Sequence, residues 1–261
     1  MSQEHETEIV IIMDRSGSME SVRFDMEGGL NEFVEDQRNL NDSGCRLTLV
    51  QFDNQYELVY DAVPIADIPP IELDPRGITA LLDAVGKTLT SLLERKPEGK
   101  VVILVVTDGH ENASHEWTRR SVAALVRDCE AAEWEIVFLG ANIDAFAEAR
   151  SMGVNRTKAA NYDANRKSVR SMFGTVSSKT SNFRTGRASS MDFSSRERDD
   201  IKAGEGITGM THARPCSCHG RIRSASGADV YVHGAGEPEG DTTMPRPSTS
   251  GPGCHVHRQK S

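Results

Sequence analysis

The chain has 261 residues, 30 Lys/Arg against 39 Asp/Glu, a formal net charge of −9 and 37% hydrophobic residues. An excess of acid on this scale argues against a general nucleic-acid binder, which needs clustered positive charge to release counterions from phosphates. No run approaches the roughly 18 apolar residues of a membrane span, and the start, MSQEHETEIVIIM, lacks the basic flank and long apolar core of a cleaved signal.

Taken in chain order, Glu8–Met13 is a short Val/Ile-rich run, which suits a strand covered on both faces. Met26, Leu30, Phe33, Val34 and the stretch 37–40 trace one helix face. Arg46–Asp53 and Tyr56–Val63 read as a hairpin turning at Asn54-Gln55. Leu81, Leu82, Val85, Leu89, Leu92 and Leu93 trace a second helix. Lys100–Thr107 is another buried strand. Val122, Leu125, Val126 and Cys129 form a third helix face, followed by a strand at Glu135–Gly140 and a short helix over 144–152. A last strand is expected around 156–160 and a helix through Val169, Met172, Phe173 and Val176.

This alternation predicts an α/β, doubly wound, mostly parallel Rossmann-like sheet with helices on both faces and one antiparallel edge strand; if the strand order is 3-2-1-4-5, the first and fourth strands are neighbours. The composition then shifts. Residues 186–261 hold 11 of the 22 glycines, 5 of the 10 prolines and two aromatics, with no apolar period. The domains expected are 6–185, folded, and 186–261, a low-complexity disordered tail.

Ligands bind such sheets at the carboxyl ends of the strands, where the strand order reverses. The first strand runs into Asp14-Arg15-Ser16-Gly17-Ser18, the fourth into Thr107-Asp108-Gly109, and the second long helix is preceded by Arg76-Gly77-Ile78-Thr79-Ala80-Leu81. Two carboxylates, Asp14 and Asp108, would meet there beside three hydroxyls, Ser16, Ser18 and Thr79. Facing each other without a lysine, they would repel unless a cation stood between them. All-oxygen ligation without His or Cys favours a hard ion.

These three loops resemble the metal-ion-dependent adhesion site of the von Willebrand factor A family, with no departure at the five positions, over roughly residues 6–180. The resemblance implies a Rossmann-like fold and a divalent ion, Mg²⁺ with Mn²⁺ or Ca²⁺ as alternatives. It also implies a protein partner presenting Asp or Glu to complete the ion's shell. Ser16 and Ser18 would ligate directly, Thr79 directly or through water, and Asp14 and Asp108 directly or through bridging waters. With few anionic ligands bonded directly, the ion would keep positive charge with which to attract an outside acid. Cytoplasmic members of the family also look like partners of ATP-driven chaperone or metal-insertion machines, so an ATPase partner and a regulatory-subunit role form a second expectation. No membrane or nucleic-acid partner is expected.

A metal-dependent phosphotransferase or phosphatase is the enzyme alternative. Aspartyl phosphotransferases carry D-x-D at the first turn, and here Asp14 is followed by Arg15-Ser16. The Walker A pattern, a G-x-G-x-x-G after the first strand and a G-x-S-x-G elbow are all missing. The chain therefore reads as a non-enzyme. Thr79 could instead cap the following helix. Arg15 and Arg76 read either as selectivity elements for acidic partners or as solvated loop arginines. Asp53 and Asn142 read as a tight turn and a helix N-cap, and His110, Glu111 and Asn112, which follow the second aspartate, as a polar loop rather than the alternative of a metal role. Cys45 and Cys129 sit within predicted elements as reduced thiols of a cytoplasmic protein. Cys216, Cys218, His219, Cys254, His255 and His257 offer enough donors for Zn²⁺. Their C-x-C spacing is tighter than that of familiar fingers, and the stretch reads rather as an unstructured His/Cys-bearing tail.

Overall fold

The computed structural model describes residues 6–40, 44–205, 222–223 and 229–230. The chain divides into two compact units, Met1–Thr211 and His212–Ser261. In the second, β7 (Ile222–Arg223) pairs antiparallel with β8 (Asp229–Val230). The six tail Cys and His residues lie outside the described residues.

The first unit is built on one sheet of six strands. These are β1 (Thr7–Asp14), β2 (Cys45–Phe52), β3 (Tyr56–Pro64), β4 (Lys100–Thr107), β5 (Glu135–Gly140) and β6 (Ala159–Asn161), in the order β3-β2-β1-β4-β5-β6. All neighbours run parallel except β2 and β3, the expected hairpin. Every residue of β1 is buried, because helices cover both faces of the sheet. Ile9, Ile11 and Met13 pack on one side with α1 (Arg23–Arg38), α5 (Arg166–Arg184) and α6 (Ser195–Ala203). Val10 and Ile12 pack on the other with α2 (Leu81–Arg95), α3 (Arg119–Ala131) and α4 (Ala145–Ser151). The strand's period of two thus divides its side chains between two cores. Where glycines let helices approach, the packing is tight: a β-carbon at Gly29 of α1 would fall 2.3 Å from the Phe173 ring of α5.

The strand expected around 156–160 starts later. Arg156–Lys158 forms a 3-10 turn, initiated by Asn155 accepting from Thr157 N, and β6 follows. The boundary expected at residue 186 is corrected more substantially. Residues 186–205 belong to the packed body: Met191, Phe193 and Ile201 are buried in the α1/α5 core. Phe193 N donates to Thr157 O, and the Arg198 guanidinium donates to the carbonyls of Arg156, Thr157 and Ala159, so the segment binds along the β6 side of the sheet. Helix α6 starts at a capping box between Ser194 and Glu197 and stops at Gly204 in the left-handed region. Three apolar residues spaced over 11 positions carry no visible period, so composition alone obscured this segment. The rest of the expected tail, from 206 onward, lies outside the described residues apart from the two short strands.

Candidate metal centre

The register that pairs Met13 with Val106 carries the chain into Asp14 at the end of β1 and into Thr107 at the end of β4 with Asp108 just beyond it, at the carboxyl edge where the strand order reverses. Asp14 is fully buried. Its Oδ1 accepts from Ser16 N at 2.7 Å and its Oδ2 from Thr107 Oγ1 at 2.5 Å. The hydroxyls of Ser16 and Ser18 lie 3.1 Å apart. Ser18 Oγ donates to Asp108 Oδ1 at 2.5 Å, while Asp108 Oδ2 is buried with no hydrogen-bond partner.

Thr79 arrives from the loop before α2 and joins the same cluster. A β-carbon at Gly109 would stand 3.1 Å from Thr79 Oγ1, 3.6 Å from Ser18 Oγ and 3.9 Å from Ser16 Oγ, so all three hydroxyls face this one glycine. The structure therefore brings together the five oxygen-bearing side chains singled out in the sequence.

The helix-cap alternative for Thr79 does not hold. The N-cap position of α2 is Ala80, with no side-chain cap. Leu82 N donates instead to Glu111 Oε2 at 2.8 Å, and Asp83 N to Ser114 Oγ at 3.0 Å. The loop after β4 satisfies the helix start from outside, and nothing among the described residues hydrogen-bonds Thr79 Oγ1.

Electrostatics at this edge are unbalanced. Burial raises the Asp14 carboxyl above its ordinary value, against the lowering effect of the bonds from Thr107 and Ser16. Burial, opposed by the bond from Ser18 and reinforced by the charge of Asp14, pushes Asp108 up to about 6. Behind them, burial raises the Tyr162 hydroxyl well above its usual range, and the charges of Asp108 and Asp14 add to this; that hydroxyl donates to Thr107 O at 3.2 Å.

The nearby arginines do not supply the missing positive charge. Arg15 is buried, contrary to a solvated loop residue, and its guanidinium pairs with Asp53 and Glu57. Half-exposed Arg76 pairs with the same Asp53 oxygen at 2.9 Å. Asp53 does make the expected turn, accepting from Gln55 N, but it is also the anchor of both arginines. Asn142 is not the cap of α4: it adopts a φ of 56°, and Asp144 accepts from Phe146 N and Ala147 N instead.

The donor set suits a hard dication. Two carboxylates and three hydroxyls offer oxygen alone, one carboxylate oxygen is unpartnered, and the space before Gly109 is one that a methyl group would crowd. Among the described residues no group of three or more His, Cys, Asp or Glu is placed to hold a metal, so a soft-ligand or carboxylate-rich centre is not found there.

Residues 8–178 match the von Willebrand factor type A domain. The chain belongs to that family. No curated protein matches it in sequence. Solved structures with a similar fold include proximal thread matrix protein 1 from the mussel byssus, 15% identical over 66% of this chain and 45% of that one, with a TM-score of 0.52. The PilB minor pilin from Streptococcus sanguinis is 10% identical over 69% of this chain and 62% of that one, at 0.52. The vWF domain of the type V pili tip protein Mfa5 from Porphyromonas gingivalis is 9% identical over 67% of this chain and 95% of that one, at 0.50. The chain spans less than half the length of the mussel protein. At these identities the likeness is one of fold. It bears out the doubly wound sheet with its antiparallel edge strand.

The sequence singled out Asn112, Arg15 and Asp53 but not the contacts they make beside the site. Asn112 reaches Thr79 across 33 positions, and Arg15 reaches Asp53 across 38. No local spacing signals such contacts. The one available hint was that polar residues crowd the loops beside Asp108 and Thr79.

Proposed function

We propose that this A domain binds a protein partner through a Mg²⁺ ion held by Asp14, Ser16, Ser18, Thr79 and Asp108, the partner's Asp or Glu completing the ion's shell. Mn²⁺ and Ca²⁺ suit the same all-oxygen set. The observation that carries this reading is the buried Asp108 Oδ2, unpartnered among the described residues, set in a cluster of three hydroxyls with a second buried carboxylate and no ion pair from a described cationic side chain.

When bound, the ion would supply a Lewis-acidic centre that attracts a carboxylate. The chain's own residues do the rest. Thr107 and the Ser16 amide orient Asp14, Ser18 orients Asp108, and the glycine at 109 leaves room for the Thr79 hydroxyl. Two acids against one dication leave no net negative charge at the site to repel an acidic visitor. A-domain proteins generally mediate protein–protein interactions, which agrees with a binding rather than a catalytic role. No helix among the described residues is long and apolar enough to cross a membrane. The buried thiols Cys45 and Cys129 fit the reducing conditions of the cytoplasm.

The test is capture of partners from native lysate with Mg²⁺ or with EDTA, by wild type and by Asp14→Ala and Thr79→Ala. The expected result is a partner retained only by wild type with Mg²⁺. Identical capture under every condition would remove the metal from the account.

A further inference from the structure

The threonine of the centre lies in a long irregular stretch, residues 68–80, that belongs to no strand or α-helix. Such a segment does not by itself hold a hydroxyl in one place. Asn112, four residues beyond Asp108, supplies what the stretch lacks. Thr79 N donates to Asn112 Oδ1 at 2.9 Å, and Thr79 O accepts from Asn112 N at 3.0 Å and from Ala113 N at 3.2 Å. Both main-chain polar groups of Thr79 are thus tied to one short piece of the neighbouring loop. Glu111 adds a second tie three residues further on, through Leu82 N. The chain segments carrying Thr79 and Asp108 are joined by hydrogen bonds into one block.

We propose that Asn112 is a positioning residue of the metal centre: it fixes the backbone of Thr79 so that the Thr79 hydroxyl stays beside Gly109 and Asp108. The inference rests on the metal-binding reading above. Asn112 does not itself need to touch the ion, since its Oδ1 and its N–H are both committed to Thr79. Removing the side chain leaves Thr79 N, in a residue that is 3% exposed, without its acceptor. The two main-chain bonds to Thr79 O survive, but the peptide N–H of Thr79 loses its anchor and the hydroxyl is held less firmly in place. Outer partners that orient a ligand are worth about 10- to 100-fold in metal affinity.

The experiment is calorimetric titration of MgCl₂ into the full chain as wild type, Asn112→Ala, Asn112→Asp and Ser114→Ala, with the melting midpoint of each metal-free protein measured in parallel. Asn112→Ala is expected to weaken Mg²⁺ binding by about 10- to 100-fold. Asn112→Asp keeps an acceptor for Thr79 N and is expected to bind at least as tightly as wild type. Ser114 lies in the same loop and bonds Asp83 N and Glu111 rather than Thr79, so Ser114→Ala is expected to retain wild-type affinity. Should Asn112→Ala fail to fold, Asn112→Ser, whose shorter side chain does not place an acceptor where Oδ1 meets Thr79 N, takes its place with the same expected loss and the same overturning result. The proposal is overturned if Asn112→Ala binds like wild type, if Asn112→Asp loses affinity, or if Ser114→Ala loses as much as Asn112→Ala. Wild type that takes up no Mg²⁺ would instead refute the metal-binding reading itself.

Discussion

Thr107 Oγ1 donates to Asp14 Oδ2 at 2.5 Å, and the same hydroxyl accepts from Gly109 N at 3.3 Å. One side chain therefore bonds the first acid of the centre and, on its own strand, the turn that holds the second. Thr107→Val keeps the shape and removes the donor. The buried Asp14 oxygen would lose its partner, at a cost of about 1–3 kcal/mol. Urea unfolding of the metal-free variant is expected to show a loss in that range, and Mg²⁺ titration a weaker site. Unchanged values in both would show that Thr107 does not orient Asp14.

Gly109 is where the hydroxyls converge, so Gly109→Ala tests the cradle itself. The added methyl would stand 3.1 Å from Thr79 Oγ1, close enough to force that group aside. Overpacking of this kind costs about 1–3 kcal/mol of stability, and with the Thr79 hydroxyl displaced the variant is expected to bind Mg²⁺ more weakly than wild type. A titration showing undiminished binding would mean that the three hydroxyls do not face the ion together.

Asp53 anchors two arginines with one carboxylate. Arg15 keeps only Glu57 if Asp53 is removed, and Glu57 is half exposed. Asp53→Ala is expected to destabilise the domain by on the order of 3 kcal/mol, because it strands a buried guanidinium. Asp53 O also accepts from Ala80 N, next to Thr79, but that bond is made by the backbone and survives the substitution. Chemical denaturation measures the stability loss. A change below about 0.5 kcal/mol, the range of an ordinary surface substitution, would contradict the burial of Arg15.

The segment after residue 185 carries a stability prediction and a pH prediction. Burying Met191, Phe193 and Ile201 stabilises the fold by about 1.5–3 kcal/mol for each side chain, an upper estimate. A chain ending at residue 185 is therefore expected to melt well below one ending at 205, and equal melting midpoints would refute the packing.

Glu197 closes the capping box of α6. Burial raises its pKa, but the bonds from Lys179 and from the Ser194 N–H and hydroxyl outweigh this and hold it below the ordinary 4.5. A lowered folded pKa means that the folded state binds fewer protons than the unfolded one. Its contribution is thus present above pH 4.5 and lost as pH falls through the lower folded value. Glu197→Gln should flatten the pH dependence of stability in that acid window and leave it unaltered near neutrality. An unchanged acid limb would show that the bonds to Glu197 carry no net stabilisation.

The fold was readable in the sequence where local pattern and burial coincide. The Val/Ile runs of β1, β4 and β5 and the apolar face of α2 mark these elements locally, and their alternation implies a mostly parallel sheet, whereas strand order rests on pairings distant in the chain. Asp14, Ser16, Ser18, Thr79 and Asp108 could be singled out because oxygen-bearing residues gather in the loops that follow β1 and β4 and precede α2, in a pattern that resembles the family's site. What could not be read depends on contacts distant in the chain. Phe193 and Ile201 look like stray apolar residues in a polar stretch until α5 and β6 are present to receive them. Arg15 looks solvated until Asp53 and Glu57 close over it. Asn112 looks like one more polar loop residue until Thr79 is set against it.

Calorimetric titration of MgCl₂ into the metal-free protein, wild type beside Asp108→Ala, tests most directly whether the five oxygens form one cation site. The account predicts a single ion per chain for wild type and no measurable uptake by the variant, with both proteins folded by circular dichroism. Absence of binding to wild type, or equal binding by both, would contradict it.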